Sequence, residues 1–190
     1  MEPEGDPKDG EKSTMRRDFL TGMGGGLIAI ATGSADSAES QSAKAPFRYL
    51  SEDECRTLEA LGDTLLPGAA EAGLARYVDD QLGRETPLLF LRYTDYVGSS
   101  VDFYKQGLQS LDREAQTRYS QRFIALEGKK KSALVRDLSQ KSPPGWIGPP
   151  APLFYFVTRN DAVDVYYGTQ QGFEKLGMPY MAMIAPPKTW

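Results

Sequence analysis

The sequence predicts a mostly α-helical domain, residues 46–190, with an extended, irregular apolar C-terminal segment and a flexible leader, residues 1–45, in front of it. From Ser51 to Tyr167 apolar residues recur at spacings of three and four, the signature of helices with one covered face. Gly and Pro interrupt that pattern at helix-length intervals, and residues 32–46 are small and polar. Behind the leader stand about 145 residues, the usual size of one domain, and such a chain buries about 70% of the surface it would expose unfolded.

The leader begins acidic, with Glu2, Glu4, Asp6, Asp9 and Glu11 against Lys8 and Lys12. It then reaches Arg16 and Arg17, one spacer, and Phe19-Leu20 leading into a weakly apolar run up to Ala31. Two adjacent guanidiniums, fixed charges with fork geometry, beside a short apolar stretch resemble a twin-arginine export signal. An acidic start disfavours the general secretory route, whose signals begin basic. The run is shorter than the about 20 apolar residues that a membrane span needs, so it reads as a signal. The segment after it, Thr32–Pro46, is too poor in apolar residues to fold by itself.

Ser51-x-x-Glu54 is a capping box in front of Cys55, Leu58, Leu61 and Leu65, and Pro67-Gly68 ends that helix. Glu71–Leu82 reads as a second, shorter helix with Leu74, Val78 and Leu82 on one face and Gly83 as its stop, completing a helical hairpin. Pro87 suits the first turn of a longer helix to about Gln109, weakened at Gly98 by about 1 kcal/mol, with a helical continuation after Asp112 as N-cap. Phe123–Leu126 reads as a connection, and Lys130–Leu138 as a short helix covering Ala133, Leu134 and Leu138. The proline-dense stretch Ser142–Pro150 predicts an extended, polyproline-like segment. Leu153–Tyr167 then has the length of a helix, with Gly168 as a left-handed cap. Beyond Phe173 the chain is apolar without a clear period.

The chain has no His and a single Cys, Cys55. That removes the commonest general base and metal ligand, any axial-His haem site and any internal disulfide. Cys55 falls on the apolar face of its helix and reads as a small buried hydrophobe. A net charge of −4 gives no basic face for nucleic acid, and Lys129-Lys130-Lys131 reads as a solvated helix start. Neither a GxGxxG nor a Walker loop is present. Asp161 and Asp164 lie one turn apart on the predicted helix, and such pairs are usually solvated. No catalytic, cofactor-binding or metal-binding residue is assigned.

The tail is the most particular stretch. Ala162-Val-Asp-Val-Tyr-Tyr-Gly-Thr169, Gly172-Phe-Glu-Lys-Leu-Gly-Met-Pro-Tyr-Met181 and Pro186-Pro187-x-x-Trp190 resemble the C-terminal block of the gluconate 2-dehydrogenase subunit 3 family. The resemblance implies the small, non-catalytic subunit of a membrane-associated dehydrogenase of sugars or polyols. Its partners would be a large catalytic subunit carrying FAD on a glucose–methanol–choline oxidoreductase fold, commonly a multi-haem cytochrome c subunit, and the twin-arginine translocation machinery. The small subunit of such complexes carries the export signal for the folded large one, placing both on the periplasmic face of the cytoplasmic membrane. Tyr166, Tyr167, Gly168, Phe173, Met178, Pro179, Tyr180, Met181 and Trp190 are the docking candidates, being mostly types enriched in interface centres. The same residues suit covering the chain's own helices, and the two roles are compatible. An independent periplasmic ligand-binding module, and a small exported enzyme working with carboxylates and tyrosines, are the competing readings.

Overall fold

The computed structural model describes residues 46–178 and Thr189; Arg16, Arg17, Phe19 and Leu20 of the leader, and Pro179, Tyr180, Met181 and Trp190 of the tail, lie outside the described residues. Six α-helices follow in order: α1 Glu52–Leu65, α2 Leu74–Leu82, α3 Ser100–Tyr119, α4 Gly128–Gln140, α5 Ala151–Tyr167 and α6 Gln170–Lys175. Two 3-10 turns, Phe90–Tyr93 and Phe123–Ala125, lie in the connections, and no strand occurs among the described residues. The mostly α expectation therefore holds.

The capping box forms as predicted: Ser51 Oγ accepts from the Glu54 N–H at 3.2 Å, and the Glu54 carboxylate accepts from the Ser51 N–H at 2.8 Å. Glu52, Asp53 and Glu54 also put negative charge on the helix's positive end. Cys55, Leu58 and Leu61 are buried, and burial, helped by the charge of Asp79, pushes the Cys55 thiol up to about 12. It is a packing residue. Just ahead of α1, the chain is fixed by Asp79 of α2, whose carboxylate accepts from the backbone N–H groups of Arg48, Tyr49 and Leu50, each at 2.9 Å.

α5 is the axis of the fold and packs against α1, α2, α3, α4 and α6. Ala151, Phe154, Val157, Ala162 and Val165 are buried along it, with Leu153, Tyr155 and Tyr166 partly covered. A helix that is apolar nearly all round belongs in the middle of a bundle. α3 approaches it closely at Gly107, where a Cβ would overlap the Phe154 ring.

Four local expectations are corrected. α2 starts at Leu74 because Gly73, at φ 97, takes the left-handed conformation that a side chain disfavours, so residues 71–73 remain in a turn. The single helix from Pro87 to Gln109 does not form; a 3-10 turn and an irregular stretch precede α3, where Ser99 Oγ caps by accepting from the Asp102 N–H at 3.3 Å. α3 then runs unbroken through Asp112, so that residue is not an N-cap. Its carboxylate instead accepts from the Phe123 N–H at 2.9 Å and the Arg122 guanidinium at 2.9 and 3.0 Å, fixing the chain beyond α3. Gly168 is right-handed, at φ −75, because the chain turns directly into α6.

Ser142–Pro150 contains no helix, as expected, yet it is not a continuous polyproline run: Gly145 and Gly148 have φ 81 and 105. The Trp146 indole N–H donates to the Pro149 carbonyl at 2.7 Å, and Ser110 Oγ donates to the Ile147 carbonyl at 2.6 Å. These bonds fold the segment back onto α3.

Gly107→Ala forces the α3–α5 crossing apart and is expected to lower stability by about 1–3 kcal/mol, the usual cost of overpacking. Urea unfolding followed by circular dichroism checks this; an unchanged midpoint would show that the crossing has room to relax.

Candidate functional site

Two surfaces on α5 present the side chains that suit recognition. The first is the C-terminal corner where α5 meets α6. Thr169 Oγ1 donates to the Tyr166 carbonyl at 2.8 Å and accepts from the Gly172 N–H at 3.2 Å, so one hydroxyl both ends α5 and starts α6. Gly172 is buried, and a Cβ there would overlap the Tyr166 carbonyl and the backbone of Tyr167. α6 therefore sits hard against the end of α5.

Of the docking candidates within the described residues, Tyr166, Tyr167, Gly168 and Phe173 are half-buried and Met178 is exposed. The Tyr166 and Tyr167 rings meet edge to face at 5.0 Å, and the Lys175 ammonium lies 4.5 Å from the Tyr166 ring and donates to its hydroxyl. On its other side Tyr166 closes over Gly68, where a Cβ would stand 2.8 Å from the ring. Tyr166 is thus committed to the chain's own packing. Leu176 and Met178, 47% and 51% exposed, are the apolar side chains that this corner offers outward.

The second surface was not singled out from the sequence. Phe90 and Tyr93 of the first 3-10 turn meet Phe156 of α5: the Phe90 ring stands edge-on to Tyr93 at 5.6 Å and to Phe156 at 5.3 Å. Tyr93 is 71% exposed and Phe156 44%, and Arg92 holds its guanidinium 5.2 Å from the Tyr93 ring.

This aromatic corner is fastened from beneath by Asp161. The Asp161 side chain is buried, and its carboxylate accepts from the Phe90 N–H at 2.7 Å and from the Tyr104 hydroxyl on α3. Desolvation raises its pKa to about 6 against the pull of these two hydrogen bonds, and the charge of Asp164 adds to the rise. Burial and the neighbouring carboxylate likewise hold the Tyr104 hydroxyl well above its ordinary range. The expectation that Asp161 and Asp164 form a solvated acid pair is corrected for Asp161; Asp164 is exposed. The sequence did hold a signal. Asp161 repeats the spacing of Phe154, Val157 and Val165 on the core face of α5, where an acid must find partners.

Among the described residues no group of three or more His, Cys, Asp or Glu side chains is placed to hold a metal ion, and no helix is long and apolar enough to cross a membrane. The exposed positions of α5 are Phe156, Arg159 and Asp164, one aromatic ring beside two charges of opposite sign.

Residues 52–186 match the family model described as gluconate 2-dehydrogenase subunit 3. The chain belongs to that family. No curated protein and no solved structure matches it. Membership makes the chain an accessory subunit of a dehydrogenase, and a subunit implies partner subunits. Both surfaces on α5 lie within the matched residues.

The raised pKa of Asp161 has a definite sign. The folded state holds the proton more tightly than the unfolded chain, so the contribution of this group is full below its unfolded value near 4 and declines until the pH passes about 6. Two pH units correspond to about 3 kcal/mol. Asp161→Asn removes the titration, so its Tm relative to the parent is expected to rise between pH 4 and 6 and level off above. Parallel Tm profiles for the two proteins would contradict this placement of the carboxylate.

Proposed function

We propose that this chain is the non-catalytic small subunit of a periplasm-facing, FAD-dependent sugar or polyol dehydrogenase of the glucose–methanol–choline type. It binds the catalytic subunit in the cytoplasm and carries it, folded and loaded with FAD, through twin-arginine export. The reading rests on one observation above all: a dehydrogenase-subunit family spans residues 52–186 of a chain that also carries Arg16-Arg17 ahead of Phe19-Leu20. A chain without His, whose lone Cys is buried and protonated, offers little for redox chemistry itself. A fold exported after assembly needs no disulfide, and this chain has none to form.

On this reading the chemistry resides in the partner: the large subunit would hold FAD, which would supply oxidation of the substrate, and a multi-haem cytochrome c, in complexes that have one, would accept the electrons. The small subunit supplies address and scaffold. The tail from Phe173 to Trp190 contributes apolar contact area, with Leu176 and Met178 exposed at its described start.

Replacing both Arg16 and Arg17 by Lys keeps the charge and removes the fork geometry. The expected outcome is a complex that assembles at the normal level and stays in the cytoplasm, with the flavin subunit's activity missing from the periplasmic fraction. Fractionation with flavin and activity measurement in both compartments decides it. Unchanged export of the large subunit would sink the carrier role.

A further inference from the structure

We propose that residues 84–97, the connection between α2 and α3, form a flap with Asp161 as its clasp: the flap opens more readily when that carboxylate is ionised and shuts when it carries a proton. The inference stands on the chain's own geometry and does not depend on the subunit reading.

The flap is built to move as a unit. Gly83 and Gly98 stand at its two ends. α2 ends at Leu82 and α3 has its own cap in Ser99, so neither helix unwinds when the stretch between them lifts. Leu89 and Leu91 are buried beneath it, and Tyr96 rests edge-on against Phe103 of α3 at 5.1 Å. The polar fastenings are three. The Leu88 N–H donates to Gln81 Oε1 at 2.8 Å, the Tyr77 hydroxyl donates to the Leu88 carbonyl at 3.3 Å, and the Phe90 N–H donates to the Asp161 carboxylate at 2.7 Å. Of the three, only the last changes its charge below neutral pH, since burial raises Tyr77 above its ordinary value.

The surroundings of Asp161 set the sign. Tyr104 of α3 donates to it, and Asp164 lies one turn further along α5. Tyr77 of α2 faces the charges of both carboxylates. The other charges of the flap and of this stretch of α5, Arg84, Glu85, Arg92, Asp95 and Arg159, are exposed to water, which screens them. α1, α4 and α6 also pack on α5 and add no group to this set among the described residues. Desolvation therefore dominates.

Ionised, the carboxylate has two hydrogen bonds in place of a full shell of water. Protonated, it keeps an acceptor oxygen for the Phe90 N–H while its own O–H donates to the Tyr104 oxygen, and no buried charge remains. Lifting the flap hydrates the group and returns its pKa to about 4, against about 6 when the flap is shut. Between those values each pH unit favours opening about tenfold, about a hundredfold in all, and above about pH 6 the gain levels off. Acidification thus closes the flap, and with it fixes the exposed ring of Tyr93.

The test is hydrogen exchange of the full chain at a series of pH values from 4 to 7.5, read by mass spectrometry and corrected for the intrinsic pH dependence of amide exchange. Protection of the peptide spanning residues 84–97 is expected to fall about tenfold per unit between pH 4 and 6 and then level off, while peptides from the middle of α3 and α5 keep theirs. Asp161→Asn keeps the shape and removes the charge, and its protection over 84–97 should be independent of pH. Tyr104→Phe takes one hydrogen bond from the ionised form, so the fall should continue above pH 6. This second variant, with the parent profile, decides the matter if Asp161→Asn does not fold. A flat parent profile over 84–97, the parent's slope retained in Asp161→Asn, or an end point unmoved in Tyr104→Phe overturns the inference. So does an equal fall in α3 and α5, which would make the opening one of the whole bundle.

Discussion

The buried carboxylate of Asp161 is the constraint around which the bundle is arranged. A lone carboxylate in a dry interior is unfavourable by several kcal/mol, and it persists where hydrogen bonds answer its charge. Here one oxygen accepts from the Phe90 backbone and the other from the Tyr104 hydroxyl, so α5, α3 and the connection between α2 and α3 are joined at one point. Each bond spans more than fifty residues of sequence, which makes the group a tertiary restraint. Satisfying it settles where the connection before α3 must run. The exposed rings of Tyr93 and Phe156 are held in place as a consequence.

Asp161 has two counterparts. Asp79 on α2 gathers the N–H groups of Arg48, Tyr49 and Leu50, and Asp112 on α3 gathers Phe123 N–H and the Arg122 guanidinium. In each case an acid on an α-helix satisfies backbone donors of a segment outside the α-helices. Unpaired buried N–H groups cost about 1–3 kcal/mol apiece, so such an acid does for a connection what the i to i−4 ladder does for a helix. A chain without disulfides can tie its connections in this way and keep its long linkers ordered.

What was legible in the sequence follows the same division. The capping box at Ser51, the apolar stripe of α1, the helix at Leu134 and Leu138 and the long α5 were all readable, because local spacing decides them. The connections were not. The apolar period from Leu88 to Leu108 looks continuous, and the break in it depends on a carboxylate seventy-one residues away pulling on the Phe90 N–H. Asp112 was mistaken for a cap because Asp favours that position locally, whereas its partners lie in the chain that follows. The aromatic corner escaped for the same reason. Nothing near Tyr93 in sequence says that Phe156 will stand beside it, while the tail is recognisable as a string of residues.

The two surfaces described here are mounted on one helix, and that bears on how a partner would use them. Phe156 and Tyr166 are ten residues apart on α5, about 15 Å along its axis and about 80° around it. A standard interface covers about 800 Å² on each partner, a patch wider than that separation. One protein seated on the α5–α6 corner therefore reaches the aromatic corner without a second contact site of its own. Because α5 packs against all five other helices, a partner that holds it at Phe156 and at its α6 end is coupled to the whole bundle. For a subunit whose proposed task is to bring a larger folded protein through export, contact with the central helix transmits force to the core, where a grip on a peripheral loop would not.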